Sequence, residues 1–182
     1  MHVKKEICSA CGGKCCQRAP GIYHPADFGL PGSAGERNVL ATLAEGNTAI
    51  DWWEGDPRGT DREDPDFHPR GYFLRPATAK QHGHLRDPSW GGQCAHWTQQ
   101  RGCALTPVER PAQCRRLIPS PDENCTYDDE ATMEKQALAL AWLPYYALLD
   151  DLHDLADVRR RLALVPRAEQ RAARHEAQTA SA

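Results

Sequence analysis

The chain has 182 residues, of which 28 are Leu, Ile, Val or Phe, and its formal net charge is −3 at pH 7. Its length suits one domain, and the small net charge together with five Trp and five Tyr argues against intrinsic disorder despite the lean apolar content. The mildly acidic balance gives no support to nucleic-acid binding by the whole domain.

The sequence has no apolar run of the length that a transmembrane helix requires. The first residues, MHVKKEICSACGG, also lack the apolar segment of a signal peptide. We therefore expect a cytoplasmic protein that makes no membrane contact. Disulfides are scarce in that compartment, so eight cysteines favour metal binding or catalysis.

The first predicted helix follows a cysteine-rich segment, residues 1 to 29, that has few helical signals. Ser33 and Glu36 form a capping-box pattern, and apolar residues then recur at helical spacing. Gly46 is a typical residue at which a helix ends. These signals predict a helix over residues 35 to 45.

The next segment, residues 51 to 70, is rich in Asp, Gly, Pro and charge, which predicts mostly loop and solvated carboxylates. The sequence GYFLRP at residues 71 to 76 predicts a short strand that ends at Pro76. Little regular structure is expected between the later cysteines.

A helical repeat begins near residue 130 and predicts a long helix, with a kink or break at Pro144. A second helical piece is predicted over residues 155 to 164. The expected buried stripe consists of Met133, Ala137, Leu140, Ala141, Pro144, Leu148, Leu152 and Leu155.

The predicted organisation is a single cysteine-cluster domain over residues 1 to 165. It carries an insert at about residues 30 to 90. The tail, residues 166 to 182, is polar and is expected to fray.

The cysteines form two groups, with the spacings C-x2-C-x3-C-C and, 77 residues later, C-x8-C-x10-C-x10-C. A C-x2-C pair followed by Gly12 and Gly13 is typical of a turn that points two thiolates at one metal ion. Individual cysteines are also common as ordinary buried residues. The candidate metal ligands are Cys8, Cys11, Cys15, Cys16, Cys94, Cys103, Cys114 and Cys125.

The adjacent pair Cys15 and Cys16 raises a separate question. Neighbouring residues in an extended chain project to opposite sides, so the two thiols would not easily bind the same ion. Either each belongs to a different four-thiolate site, or one is a ligand and the other is packed in the core. Eight cysteines divide evenly into two sites, which favours the first interpretation.

Three segments together resemble the YkgJ-type cysteine-cluster family, which is described as zinc- or iron-chelating. They are CSACGGKCC at residues 8 to 16, the C-x8-C segment that ends in Gly102-Cys103, and RPAQCRRL at residues 110 to 117. The resemblance covers roughly residues 6 to 28 and 90 to 145, including the last cysteine and the helix after it. More distantly, the cysteine module of flagellin lysine-N-methylase is similar.

The resemblance implies a metal, and both zinc and an iron–sulfur cluster suit the cysteine pattern. We favour a 4Fe–4S cluster over zinc because of the analogy with the methylase. A thiolate-bound metal site carries negative charge, so we expect Arg110 and Arg115, near Cys114, to offset that charge and to stabilise the sulfurs.

Several other residues are weaker candidates. His96, or His82 and His84, would be able to replace a thiolate, although surface histidines are the usual case. Trp52 and Trp53 would be able to line a pocket over the metal, but tryptophan is more often part of a core.

The expected fold is a small metal-stabilised α+β or irregular domain, with a cysteine-anchored core, a C-terminal helical segment and few short strands. The expected function is metal binding, in a structural or redox role. Two alternatives stay open: a metal-dependent protein-modifying enzyme resembling the flagellin methylase, and a zinc-stapled module for protein or RNA interaction. The sequence names no substrate or catalytic residue and no definite partner, although a protein or redox partner suits a metal-binding module.

Overall fold

The computed structural model describes residues 12–18, 20–78, 92–120, 125–129 and 133–157. These residues form a small α+β domain, as the sequence predicts at this coarse level. The helices are α1 (Lys14–Arg18), α2 (Ser33–Glu45), α3 (Ala112–Arg116) and α4 (Lys135–Trp142), with 3-10 turns at Pro25–Phe28 and Leu143–Tyr145 and further helix over 146–157. The strands are β1 (Thr48–Glu54), β2 (Arg70–Pro76), β3 (Trp97–Thr98), β4 (Gly102–Cys103), β5 (Leu117–Ile118) and β6 (Thr126–Tyr127).

The longest strands, β1 and β2, form an antiparallel hairpin whose register runs from Thr48 opposite Pro76 to Glu54 opposite Arg70. The strand predicted at residues 71 to 76 is confirmed. The prediction that the chain is mostly loop from residue 51 was wrong for β1, because its aromatic and β-branched residues pair along the whole length of β2.

Asp56 organises the loop that closes this hairpin. Its carboxylate accepts hydrogen bonds from the Arg58 guanidinium, the Thr60 hydroxyl and the His68 amide, each at 2.8 Å. The Asp56 carboxylate thus supplies hydrogen-bond acceptors within a segment that is rich in glycine and proline and forms no strand or helix.

Helix α2 confirms the predicted helix, and it ends at Gly46, whose φ of 75° is left-handed. The predicted capping box is wrong. Gly32 is the N-cap, so it has no side chain to offer, and Ser33 is the first residue inside the helix. The Gly32 carbonyl accepts the first helical hydrogen bond, from the Glu36 amide.

The hydrophobic core lies between α2, the hairpin and α4. Val39 and Leu43 of α2, Leu74 of β2 and Trp142 of α4 are fully buried there. The Trp142 indole Nε1 donates a hydrogen bond to the Tyr23 carbonyl at 2.8 Å, which ties the C-terminal helices to the chain just after the first cysteines. Much of this core therefore comes from the segment that the sequence marked as an insert.

The C-terminal helical region changes to a 3-10 turn at Leu143–Tyr145, which confirms the break predicted at Pro144. The predicted buried face is only partly right, because Leu140 is 44% exposed and Leu155 is 53% exposed. The large Trp142 ring sets the orientation of α4, so the fully buried residues there are Leu138, Ala139 and Trp142. The helical piece predicted over residues 155 to 164 and the polar tail lie mostly outside the described residues.

The cysteine-bearing half of the domain is built from very short elements. Along the chain, helix α3 lies between two small hairpins, β3–β4 and β5–β6, whose strands have two residues each. A bridge between Thr78 and Cys94 and a hydrogen bond from the Ala95 amide to the Ala77 carbonyl join this half to the end of the long hairpin. In the part of the chain that the structure describes, no helix has both the length and the apolar character needed to cross a membrane.

Candidate functional site

Five cysteine side chains line one cavity of about 320 Å³. They come from three separate parts of the chain: α1, the β3–β4 region and α3. The five are Cys15, Cys16, Cys94, Cys103 and Cys114. The fold therefore brings the two sequence groups of cysteines together, which the spacing alone did not establish.

Backbone hydrogen bonds hold α1 against the second cysteine group. The Cys94 amide donates to the Cys16 carbonyl, and the Gly92 amide donates to the Arg18 carbonyl, both at 2.7 Å. Gly13, just before the helix, packs so tightly against the Trp97 indole that a Cβ atom would overlap the ring. The first glycine-rich turn is thus held in place by the chain around Cys94.

Cys94 and Cys103 are positioned by the small β3–β4 hairpin, in which Cys103 pairs with Trp97. Cys94 is buried, at 6% exposure, and its sulfur accepts a hydrogen bond from the His96 amide. The backbone of His96 thus acts directly on the Cys94 thiol.

Helix α3 positions Cys114 through reciprocal bonds with the segment after α1. The Gln113 amide donates to the Ile22 carbonyl at 3.2 Å, and the Ile22 amide donates to Gln113 Oε1 at 2.9 Å. The Gly21 amide donates to the Cys114 sulfur. Three of the five cavity cysteines, Cys15, Cys94 and Cys114, therefore accept hydrogen bonds from backbone amides of other residues, a feature typical of sulfurs that carry negative charge.

Burial and mutual proximity shift the thiol pKa values. Burial, together with the charges of neighbouring thiolates including Cys103, raises the pKa of Cys94 to about 11 and that of Cys114 to about 12. These interactions mean that the cavity does not favour several free thiolates at once. A bound cation would reverse that balance, because it stabilises the deprotonated sulfur.

The arrangement of Cys15 and Cys16 in the structure differs from the one expected from the sequence. Both lie in helix α1, so the premise of an extended chain was wrong, and both thiols line the same cavity. The Cys16 thiol donates a hydrogen bond to the Cys15 sulfur, which lowers the pKa of Cys15 to about 6 and raises the pKa of Cys16. Helical neighbours are separated by about 100° around the axis, which permits this contact.

The remaining candidate ligands lie elsewhere. Cys8, Cys11, His82 and His84 are outside the described residues. Cys125 is half-buried beside β6 and does not line the cavity, although its charge contributes to raising the pKa of Tyr127. Within the described residues, no group of three or more His, Cys, Asp and Glu side chains is already arranged to hold a metal ion.

The two candidate arginines have different positions. Arg110 lines the cavity, and its Nε donates to the Leu105 carbonyl at 3.4 Å. Arg115 forms an ion pair with Asp27 and donates to the Arg110 carbonyl. Arg115 thus stabilises the loop that carries Arg110, and its guanidinium is directed to protein oxygens.

Tryptophans 52 and 53 do not line the cavity. Trp53 packs over Gly71, with its indole N–H buried and without a hydrogen-bond partner. Trp52 contacts the Tyr72 ring and the Arg70 guanidinium. The interpretation of these tryptophans as packing residues suits their positions better than a pocket over the cysteines.

The sequence analysis did not predict that charged residues of the β1–β2 hairpin line the cavity. Asp51, expected on a solvated loop, is only 4% exposed, and its carboxylate accepts a hydrogen bond from Arg75 Nε at 2.6 Å. The register places Asp51 opposite Phe73, so Arg75 is its diagonal neighbour on the same face. Lys135 of α4 also lines the cavity, with Nζ 4.7 Å from the centre of the Phe73 ring.

No protein-family model matches this chain, and neither a curated protein nor a solved structure matches it. The resemblance to YkgJ-type proteins therefore rests on the cysteine motifs alone.

Proposed function

We propose that this protein is a YkgJ-type metal-binding protein that holds an iron–sulfur cluster or zinc through cysteine thiolates, in a structural or redox role. The observation that carries the proposal is the convergence of five thiols, from both sequence groups, on one cavity. The cavity ligands would be Cys15, Cys16, Cys94, Cys103 and Cys114, with Cys8, Cys11 and Cys125 as the other candidates.

The donor chemistry supports this proposal. Thiolate is the ligand that zinc, copper(I) and iron–sulfur clusters prefer, and cysteines are otherwise costly to bring together as free anions. Amide N–H groups at Cys94 and Cys114 would stabilise negative charge on bound sulfur. Arg18, the last residue of α1, and Arg110, two residues before α3, both line the cavity and would offset the net negative charge of a thiolate-bound site.

The metal would also stabilise the fold. The cysteine half consists of two-residue strands and five-residue helices, which bury little apolar surface of their own. Structural zinc contributes roughly 10–16 kcal/mol in small domains, compared with a net stability of about 5–15 kcal/mol for a typical protein. The thiols are then expected to close into a coordinating arrangement when the metal binds, since preformed sites are rare without it.

A cytoplasmic location belongs to the same proposal, because clustered thiols stay reduced and available for metal in that compartment.

Anaerobic purification, followed by a visible spectrum and elemental analysis for iron, zinc and sulfide, tests the proposal. Broad absorbance near ~400 nm with about four iron and four sulfide per cluster would identify an iron–sulfur protein. A colourless protein with tightly held zinc would identify thiolate-bound zinc sites. Protein that folds cooperatively without metal, and that binds none after anaerobic reconstitution, would rule the proposal out.

A further inference from the structure

The cysteine-bearing segments that the structure describes differ in charge from the rest of the domain. Residues 12–18 and 92–120 contain six Lys or Arg and one Glu, whereas the other described residues contain six Lys or Arg and 17 Asp or Glu. The six basic residues are Lys14, Arg18, Arg101, Arg110, Arg115 and Arg116. Separated charge of this kind steers an anionic surface toward the cysteine side of the protein.

Ion pairs with the acidic remainder neutralise part of this positive charge. Arg115 pairs with Asp27, and Arg116 pairs with Asp128. The described residues provide no carboxylate partner for the other three arginines, which are Arg18, Arg101 and Arg110. Two of these three line the cavity, and the third, Arg101, lies outside it.

The cavity opens at helix α1. Of the described residues that line it, Cys15 and Arg18 are exposed, and the others are buried or half-buried. Helix α1 adjoins the β3–β4 hairpin, because Gly13 packs against the indole of Trp97. Arg101 is exposed in the turn of that hairpin. An exposed arginine therefore lies on each of the two elements next to the opening.

The turn that follows β4 adds an exposed apolar side chain. Glu109 accepts hydrogen bonds from the Thr106 amide at 2.9 Å and from the Thr106 hydroxyl at 2.7 Å, so its charge helps to close the turn. Val108, inside this turn, is 82% exposed. Leu105 and Arg110, on either side of the turn, line the cavity. An apolar side chain among arginines suits a protein interface, where Arg is enriched.

These features favour a protein over a nucleic acid as the occupant. Surfaces that bind single-stranded nucleic acid combine basic grooves with exposed aromatic rings that stack on the bases. Trp97 is the one Trp, Tyr or Phe of residues 12–18 and 92–120, and it is only 8% exposed. An extended polyanion would also meet the acidic remainder of the domain, whereas an acidic patch on a protein is local.

We propose that a protein with an acidic surface docks over the opening of the cavity, with its carboxylates against Arg18 and Arg101 and an apolar side chain against Val108. This docking deepens the proposed function and rests on it for the reason that a partner approaches the cysteines. Arg101 and Val108 do not line the cavity, so both are open to substitution without a change in the candidate ligands.

The test measures binding of a fluorescein-labelled acidic peptide of Glu-Glu-Leu repeats to the anaerobically purified protein by fluorescence anisotropy. A Gln-Gln-Leu peptide of the same length and single-stranded polyuridylate are the comparison probes. Metal content and sedimentation velocity are measured on the same samples.

Two variants change the proposed surface. Arg101→Glu reverses an exposed charge, and Val108→Asp places a carboxylate at the apolar contact. The matched controls are Arg37→Glu on α2 and Leu155→Asp in the C-terminal helical region, since both residues are exposed on other elements and the changes in charge are the same.

The acidic peptide is expected to bind wild type, Arg37→Glu and Leu155→Asp alike. It should bind Arg101→Glu and Val108→Asp about tenfold more weakly, because like charges then face each other across the interface. The Gln-Gln-Leu peptide and polyuridylate should bind more weakly than the acidic peptide, and added NaCl should weaken binding of the acidic peptide.

Four outcomes would overturn the docking surface or its occupant. No binding of the acidic peptide, or losses in the two surface variants no larger than those in their controls, would exclude the surface. Tighter binding of polyuridylate would exclude a protein as the occupant. Self-association of wild type that Arg101→Glu abolishes would assign the surface to a second copy of this chain.

The metal measurements separate this docking surface from the proposed function. Full metal content without peptide binding would retain the metal site and lose the docking surface. A metal-free protein that binds the peptide through Arg101 and Val108 would do the reverse. If either surface variant fails to fold, as judged by circular dichroism, the other one decides, since each changes a different contact of the same interface.

Discussion

The Gly21 amide donates a hydrogen bond to the Cys114 sulfur, and a methyl group on Gly21 would overlap that same sulfur. The two residues are 93 positions apart, and their contact joins the segment after α1 to helix α3. A residue with no side chain is thus required beside a candidate metal ligand, for reasons of space rather than backbone conformation.

Gly21→Ala is therefore expected to displace Cys114 and to lower both metal content and stability. Overpacking of this kind costs about 1–3 kcal/mol. Metal per chain by elemental analysis and the free energy of unfolding in urea would measure the two effects.

Gly29→Ala is the control, because Gly29 has open space around it and lies on a different turn. Its left-handed φ of 84° predicts a loss of about 1 kcal/mol with full metal content. Full metal content in Gly21→Ala would contradict the assignment of Cys114 as a ligand.

Cys114 and Cys125 are predicted to differ, although both belong to the second sequence group. Cys114 lines the cavity and Cys125 does not. Cys114→Ser should lose most of the metal, since a serine hydroxyl is a poor ligand for a soft metal site. Cys125→Ser should lose less than Cys114→Ser when both are purified anaerobically in parallel. Equal losses would mean that Cys125 moves into the coordination sphere when metal binds.

The buried pair of Asp51 and Arg75 makes a strong stability prediction. Arg75→Met leaves the Asp51 carboxylate buried without its partner, which typically costs about 3–5 kcal/mol. The matched control is Arg116→Met, because the Arg116–Asp128 pair is exposed and such pairs contribute about 0–1 kcal/mol. Urea unfolding at neutral pH measures both variants. A loss below about 1 kcal/mol for Arg75→Met would show that Asp51 gains a proton or another partner at little cost.

The Asp56 carboxyl group is expected to make the protein less stable at acidic pH. Hydrogen bonding from Arg58, together with the other donors of the loop, holds the pKa of the Asp56 carboxyl well below its usual range. A lowered pKa in the folded state adds stability above the unfolded pKa of about 3.9, and that stability is lost as the pH falls below it. Wild type should therefore lose more stability than Asp56→Asn between pH 7 and pH 3.

The comparison between variants is informative because acid would also protonate the metal-bound thiolates of the proposed site, equally in both proteins. Asp61→Asn, an exposed residue of the same loop, should follow wild type. Identical pH dependence for wild type and Asp56→Asn in urea unfolding would exclude a special role for Asp56.

Local signals predicted those parts of the fold that depend on a few neighbouring residues. Helix α2 ends at Gly46 because glycine adopts the left-handed conformation at little cost, and the C-terminal helix changes to a 3-10 turn around Pro144 because proline lacks an amide hydrogen. The helix cap at Gly32 and strand β1 were missed. In β1, acidic residues around Trp52 and Trp53 resemble loop composition, and pairing with β2 overrides that preference.

The sequence by itself determined the main helix, the strand at β2 and the break near Pro144, whereas the common role that it indicates for the eight thiols stays a prediction. Only the tertiary structure decided which thiols share a cavity, that Cys15 and Cys16 are helical neighbours in contact, and that Asp51 pairs with Arg75 inside the protein. The physical reason is the distance along the chain over which each interaction acts. Backbone preferences act within a few residues, whereas burial and ion pairing depend on which distant segments pack together.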